Sequence, residues 1–202
     1  MENQKIAALA EVLAGRLFVE LEASGRHVHV TADQARTLFG HPLTARRPLS
    51  QPGQFLANER VTVLGPKGKF ENVAVLGPER REAQVEVSLT DARVLGVKAP
   101  VRLSGDVADT PGAVLTGSLG SVTIPRGVIA AKRHIHLTPE DGAKFGVKNG
   151  QIVSLRTFTE RPVVFEDVAV RISPDFASYV HLDYDEANAC GFAAGDLGRI
   201  LP

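Results

Sequence analysis

The chain has 202 residues, 44% of them hydrophobic, which is enough apolar side chain for one ordinary domain or two small ones. Lysine plus arginine and aspartate plus glutamate each total 23, so no net field draws in nucleic acid or an anionic membrane, and any anionic ligand has to be held locally. The single cysteine, Cys190, excludes an internal disulfide and a thiolate-rich zinc site and fits a reducing compartment.

Ile6, Leu9, Leu13 and Leu17 recur at roughly helical spacing and predict an amphipathic helix over residues 2–14. The apolar run inside it is interrupted by Glu11, is too short to span a bilayer, and lacks the flanks of a secretory signal, so a soluble, cytoplasmic protein is expected. From Leu17 the pattern changes to short β-branched runs cut by glycine and proline, the mark of strands and hairpins. Strands are expected at 17–21 and 26–30. Thr31 and Gln34 have capping-box spacing and open a short helix that ends at Phe39-Gly40.

Residues 41–55 contain three prolines and neither a helical nor a strand period, and read as a loop. A hairpin is expected from 61–64 and 70–76 around Gly65-Pro66-Lys67-Gly68, where glycine and proline supply the turn dihedrals. Residues 84–87 form another strand, and Ser88 with Asp91 caps a helix ending at Gly96. Turns at 106–112, Gly120 and Pro125 separate strands at 113–115, 121–124 and 128–131. Thr138 then caps a helix with Pro139 in its first position and Gly146 at its end.

The chain repeats itself. Arg26-His27-Val28-His29-Val30-Thr31 returns as Arg133-His134-Ile135-His136-Leu137-Thr138, and Phe70-Glu71-Asn72-Val73-Ala74-Val75 returns 95 positions later as Phe165-Glu166-Asp167-Val168-Ala169-Val170. Continued without a gap, the second shift sets Glu86 on His181, Ser88 on Asp183, Asp91 on Glu186 and Gly96 on Gly191. The expected fold is therefore mainly β with short α-helices: an N-terminal helix over 1–16 and two related small β-barrel units, 17–99 and 100–202, from an internal duplication.

In an extended strand the two histidines of each His-x-His leave the same face while Val28 or Ile135 points into a core. A third ligand, Glu86 or His181, comes from another strand just before a capped helix. Three nitrogen and oxygen ligands with a fourth position open is how catalytic zinc is commonly held, so two open metal sites are expected. Which unit supplies which ligand to which metal is left open. Helix N-termini beside these ligands suit phosphate. Arg80 and Arg81 offer a bidentate clamp, and because Asp175 stands opposite Arg80 in the repeat the clamp is one-sided. No Walker A pattern, nucleophile elbow or Rossmann fingerprint is present.

Arg26-His27-Val28-His29, residues 46–55, Ser104-Gly105-Asp106, residues 132–141 and residues 181–188 together resemble the propanediol-utilisation type phosphotransacylases, in order and over about residues 17–190. The resemblance implies two zinc ions per chain, located in that family between two β-barrel domains, and exchange of the CoA of an acyl-CoA for phosphate without a covalent enzyme intermediate. It implies His27, His29, Glu86, His134, His136 and His181 as zinc ligands and Arg80 as the catalytic, phosphate-binding arginine. Gly25, where an Asn usually precedes the Arg, and Leu89, where an Arg often follows Ser88, depart from the family pattern and bear on CoA contacts or acyl preference. An N-terminal peptide in that family can direct encapsulation, which makes a bacterial microcompartment, its shell or core proteins and further copies of the chain the associations to test. A dinuclear zinc hydrolase and a non-enzymatic metal-binding or shell-docking protein stand as alternatives. Phosphate-dependent cleavage of acyl-CoA separates the first reading from both.

Overall fold

The computed structural model describes residue 15 and residues 17–201; the helix expected over residues 2–14 lies outside them. The elements are β1 (Val19–Ser24), β2 (His27–His29), α1 (Ala32–Phe39), β3 (Ala45–Pro48), β4 (Phe55–Leu64), β5 (Lys69–Gly77), β6 (Gln84–Val87) and α2 (Leu89–Leu95). They continue with β7 (Val101–Arg102), β8 (Ala113–Thr116), β9 (Ser121–Ile124), β10 (Val128–Ala131), β11 (His134–Leu137) and α3 (Pro139–Phe145). The chain ends on β12 (Ile152–Phe158), β13 (Val164–Ile172), β14 (Tyr179–Asp183), α4 (Tyr184–Cys190) and β15 (Leu197–Leu201). Strands dominate and the helices are short, as the sequence implies.

The chain divides into two compact units that interleave in sequence. One unit takes the described residues up to Ala23, then Arg133–Leu182, then everything from Glu186 onward; the other takes Ser24–Lys132 and Asp183–Asp185. This division differs from the contiguous stretches 17–99 and 100–202 read from the repeat. The cause is strand pairing: β1 joins β15 antiparallel, while β10 lies parallel to β6 and carries β7, and β8 with β9 extends from β4. Backbone ladders, and not position along the chain, decide which residues share a core.

In the first unit six strands close into a barrel in the order β1-β14-β11-β13-β12-β15. Closure leaves no unpaired strand edge. Its core is built from Leu21, Ile135, Leu137, Leu155, Val168, Val170, Val180 and Leu182. In the second unit the strands form one nine-stranded sheet running β7-β10-β6-β2-β5-β4-β8-β9, with β3 pairing β4. Its core gathers Val28, Leu38, Val61, Val75, Val85, Leu95, Leu115 and Val128.

The repeated motifs have local physical causes. Asn72 and Asp167, at matching places in β5 and β13, both adopt positive φ, 56° and 55°. Asn and Asp tolerate that left-handed backbone better than other residues with a side chain, which explains why this position of the repeated hexapeptide keeps an Asx residue. Thr31, Ser88 and Thr138 each accept a bond from the backbone N–H three residues on, and Thr31 with Gln34 completes a reciprocal capping box. Gly40, Gly96 and Gly146 end the first three helices in the left-handed conformation.

The loop expected at 41–55 contains β3. All four of its residues are exposed and it pairs along one side with β4. An edge strand with neither face buried has no apolar alternation from which it could be read.

Candidate metal centre

In the nine-stranded sheet β2 lies between β5, parallel to it, and β6, antiparallel to it, with His27 opposite Glu86 and His29 opposite Gln84. In the barrel β11 lies between β13, parallel, and β14, antiparallel, with His134 opposite His181 and His136 opposite Tyr179. Each neighbouring pair of strands therefore presents a two-by-two array of side chains on one face. Three corners of each array carry the sequence-expected ligands. The fourth is Gln84 in one unit and Tyr179 in the other.

His27, His29 and Glu86 form one compact group and His134, His136 and His181 another, with the ligand-capable atoms of each group within 4.8 Å of one another. Five of the six are buried and His181 is partly so. The opposite faces of the same strands carry Val28, Val85 and Ile135, all essentially inaccessible, so core packing holds the ligand faces rigid.

The carboxylate-containing group is held by backbone. His27 Nδ1 pairs with Gly25 O at 2.8 Å and His29 Nδ1 with Leu76 O at 3.1 Å, which directs each Nε2 away from those carbonyls as an acceptor or ligand. Burial opposes a charged His27, but Glu86, 3.5 Å from Nε2, outweighs it and raises the pKa. Burial, then His27 and Arg80, keep His29 well below the ordinary imidazole value. Burial opposes ionisation of Glu86 too, yet His27, His29 and the Ser104 hydroxyl hold its pKa below the carboxylate range. The group is therefore anionic at its oxygen corner.

The all-histidine group differs at His136. Both ring nitrogens of His136 are buried without a hydrogen-bond partner, and its ring stacks on Phe176 with centroids 4.1 Å apart. Burial, then His134 and Arg171, lower its pKa to about 3, so the imidazole is neutral and its lone pair available. His134 and His181 stack with centroids 4.9 Å apart, and His181 Nδ1 lies 3.4 Å from Glu22 Oε2. Two orphaned nitrogens on a buried, neutral His136 ring are costly unless a cation binds them. The donor sets, nitrogen with one carboxylate and nitrogen alone, both fit zinc.

The remaining candidate residues have clear places. Arg80 donates its backbone N–H to Val30 O at 2.8 Å and its Nη1 to Ser104 Oγ at 3.0 Å, and its charge reaches His27 and His29. Arg81 is exposed, and so is Asp175, the counterpart of Arg80 in the repeat. Arg26 grips Asp91 with two bonds, at 3.0 and 2.8 Å, and Arg133 binds Glu186 at 2.7 Å. In each unit the arginine ahead of His-x-His thus ties the ligand strand to the helix that follows the third ligand. Gln84, Ser104 and Phe176 had no role assigned from sequence. Gln84 was open to detection, because it stands two residues before Glu86 and a period of two puts it on the ligand face.

A profile of phosphate propanoyltransferases matches residues 20–193. A phosphate propanoyltransferase of Enterococcus faecalis is 57% identical over 184 residues, 90% of this chain and 87% of that protein. Proteins of the same name from Listeria monocytogenes and Clostridioides difficile are 51% and 47% identical, each aligned over 100% of this chain and over 97% and 99% of their own lengths. The matched span starts in β1 and runs past α4, so it takes in both histidine groups, the Arg80 segment and the strands that hold them, and by that measure the chain belongs to the phosphate propanoyltransferase family of acyltransferases.

Proposed function

We propose that the chain exchanges the CoA of a short-chain acyl-CoA, propanoyl-CoA or acetyl-CoA, for phosphate, giving acyl phosphate and CoA in a reversible, zinc-dependent reaction. The observation that carries the reading is the pair of buried three-residue groups, one of which leaves both nitrogens of His136 unsatisfied. Family membership supplies the reaction class. His27, His29 and Glu86 would hold one zinc, and His134, His136 and His181 a second. When bound, zinc supplies Lewis acidity, which polarises a thioester carbonyl and favours departure of a thiolate.

Arg80 provides the group for phosphate. Its guanidinium holds the anion by a planar, two-pronged contact, and Ser104 Oγ fixes its position at 3.0 Å. A phosphate oxygen so held attacks the carbonyl carbon, the C–S bond breaks, and the sulfur leaves with the electron pair as the CoA thiolate. Phosphate is the nucleophile, so no side chain needs to be acylated. Burial of the ligands excludes the bulk water that would otherwise hydrolyse the thioester.

The decisive assay follows free thiol release from propanoyl-CoA and acetyl-CoA with and without phosphate. Release that requires phosphate and yields acyl phosphate supports the exchange, and its reversal is assayed from acyl phosphate and CoA. Equal release in water alone makes the chain a hydrolase instead. Elemental analysis of protein purified without added metal is expected to give about two zinc ions per chain, from two three-ligand sets. A metal-free, fully active preparation overturns the zinc assignment. The N-terminal segment is expected to be separable from the chemistry, since the candidate ligands all lie beyond Arg26. Removal of residues 1–14 should spare turnover and zinc content.

A further inference from the structure

The fourth corner of the β2/β6 array holds Gln84, a side chain only 2% exposed on a strand that is buried throughout. An amide there has four hydrogen-bonding positions to satisfy, and leaving them empty is costly. Its partners determine its orientation. Gly105 N–H can only donate, and it lies 2.7 Å from Gln84 Oε1. The amide nitrogen is thereby turned toward Glu86 Oε1 at 2.5 Å and Ser104 Oγ at 2.9 Å, and it donates to both. Arg80 Nη1 donates to the same Ser104 oxygen. With both lone pairs of Oγ engaged, the serine hydroxyl is left as a donor, and its hydrogen bond to Glu86 helps stabilise that carboxylate.

Each bond in this set has only one consistent direction. Arg80 donates to Ser104; Gln84 donates to Ser104 and Glu86; Ser104 donates to Glu86. We infer that Gln84 is a positioning residue, whose amide locks the metal-ligating carboxylate of Glu86 and the phosphate-binding guanidinium of Arg80 into one hydrogen-bonded unit through Ser104. The inference rests on the zinc and phosphate roles proposed above. The barrel has no such device, since its fourth corner is Tyr179, which carries no amide. Carboxylate ligands whose free lone pairs are bonded keep a fixed rotamer, and loss of such a supporting contact typically weakens metal binding by about 10- to 100-fold.

Two substitutions separate positioning from space-filling. Gln84→Met keeps the length and apolar bulk and removes all the hydrogen bonds. Gln84→Glu keeps an acceptor for Gly105 N–H, loses the donors to Glu86 and Ser104, and serves where the methionine variant does not fold. Both are compared with the intact wild-type chain for zinc loss to a chromophoric chelator and for the KM values of phosphate and of propanoyl-CoA. One of two zinc ions should leave about 10- to 100-fold faster. The phosphate KM should rise several-fold with little change for propanoyl-CoA. Circular dichroism checks that the fold is intact. A folded variant of either kind that retains zinc and the phosphate KM of the wild type overturns the positioning role alone. A wild-type chain that takes up no zinc overturns the proposed function and this inference together, so the two failures are told apart.

Discussion

The two candidate metal-binding groups occupy equivalent places in equivalent strand triplets and still differ in chemistry. In one, a carboxylate faces two histidines pinned by the carbonyls of Gly25 and Leu76, and Gln84, Ser104 and Arg80 extend the polar contacts outward. In the other, His134 and His181 stack, His136 meets both rings edge-on, Phe176 covers His136, and both nitrogens of that ring lack a partner. The lesson is that register fixes where a ligand can stand, while the fourth corner and the neighbouring loop determine what kind of site it becomes. A carboxylate tied to an arginine suits the handling of an anion beside a metal. An imidazole cluster against an aromatic ring suits a metal in apolar surroundings.

The strongest way to break the comparison is to remove one ligand from each group. His29→Ala and His136→Ala should each reduce phosphate-dependent CoA release by on the order of a thousandfold, the scale of losing a preorganised electrostatic element. Each should also lower zinc from about two ions per chain toward one. Kinetics and elemental analysis on the same preparations check this. If His136→Ala loses zinc and keeps turnover, only the carboxylate group takes part in the reaction.

Arg80 tests the asymmetry directly, because the repeat replaces it with the exposed Asp175. Arg80→Ala should raise the phosphate KM and slow turnover about a hundredfold with zinc content unchanged. Arg81→Ala should stay within about twofold of the wild type, since an exposed neighbour gains little from a charge outside the site. Steady-state kinetics with phosphate varied at saturating acyl-CoA decide between them. A normal Arg80→Ala beside a crippled Arg81→Ala moves the phosphate role one residue along.

Those contrasts were partly legible in the sequence. His-x-His with its helix cap and the hairpin joining 61–64 to 70–76 depend on short-range periodicity, which a strand imposes on its own residues, and the third candidate ligand on the ungapped repeat. Partner choice between strands is non-local. Nothing within residues 17–21 announces that β1 pairs β15 in the barrel, or that β10 runs parallel to β6 in the sheet. The place of Gln84 on the ligand face was legible from its spacing to Glu86, but its bonds were not, because they need the loop carrying Ser104 and Gly105 beside it. β3 escaped because both of its faces are wet.

The helix caps probe the comparison at the level of stability. Thr138 caps α3 at 3.1 Å from Asp141 N, and Ser88 caps α2 at 3.1 Å from Asp91 N. Alanine at either position should cost about 1 kcal/mol, read from denaturant unfolding. The acid side should then distinguish the barrel. Burial opposes ionisation of Asp141, but hydrogen bonds from Ser178, Lys144 and Thr138 outweigh it and lower its pKa from 3.8. Its contribution is therefore complete above pH 3.8 and disappears as pH falls through the lower folded value. Asp141→Asn should flatten the stability curve in that acidic window and leave its neutral-pH slope unchanged.

The smallest expected effect concerns Gly25, whose equivalent in the other unit is Lys132. A side chain at this position, just ahead of the His-x-His strand, is therefore compatible with the repeated backbone, and what stands against one here is Tyr184: a Cβ on Gly25 would lie 2.7 Å from the phenol ring and hydroxyl. The contact is severe in distance but soft in kind, because it meets the far end of a half-exposed side chain that can rotate into solvent. Gly25→Ala should thus destabilise by less than about 1 kcal/mol, within the range of ordinary surface substitutions and far below that of an overpacked core. Its functional effect should run through the Gly25 carbonyl, which holds His27 Nδ1 at 2.8 Å. If the backbone stays in place, zinc affinity is unchanged and Tyr184→Ala restores the lost stability in the double variant. If Gly25→Ala sheds zinc and Tyr184→Ala does not restore it, the strand itself has shifted, and the tolerance seen at Lys132 does not transfer between the units.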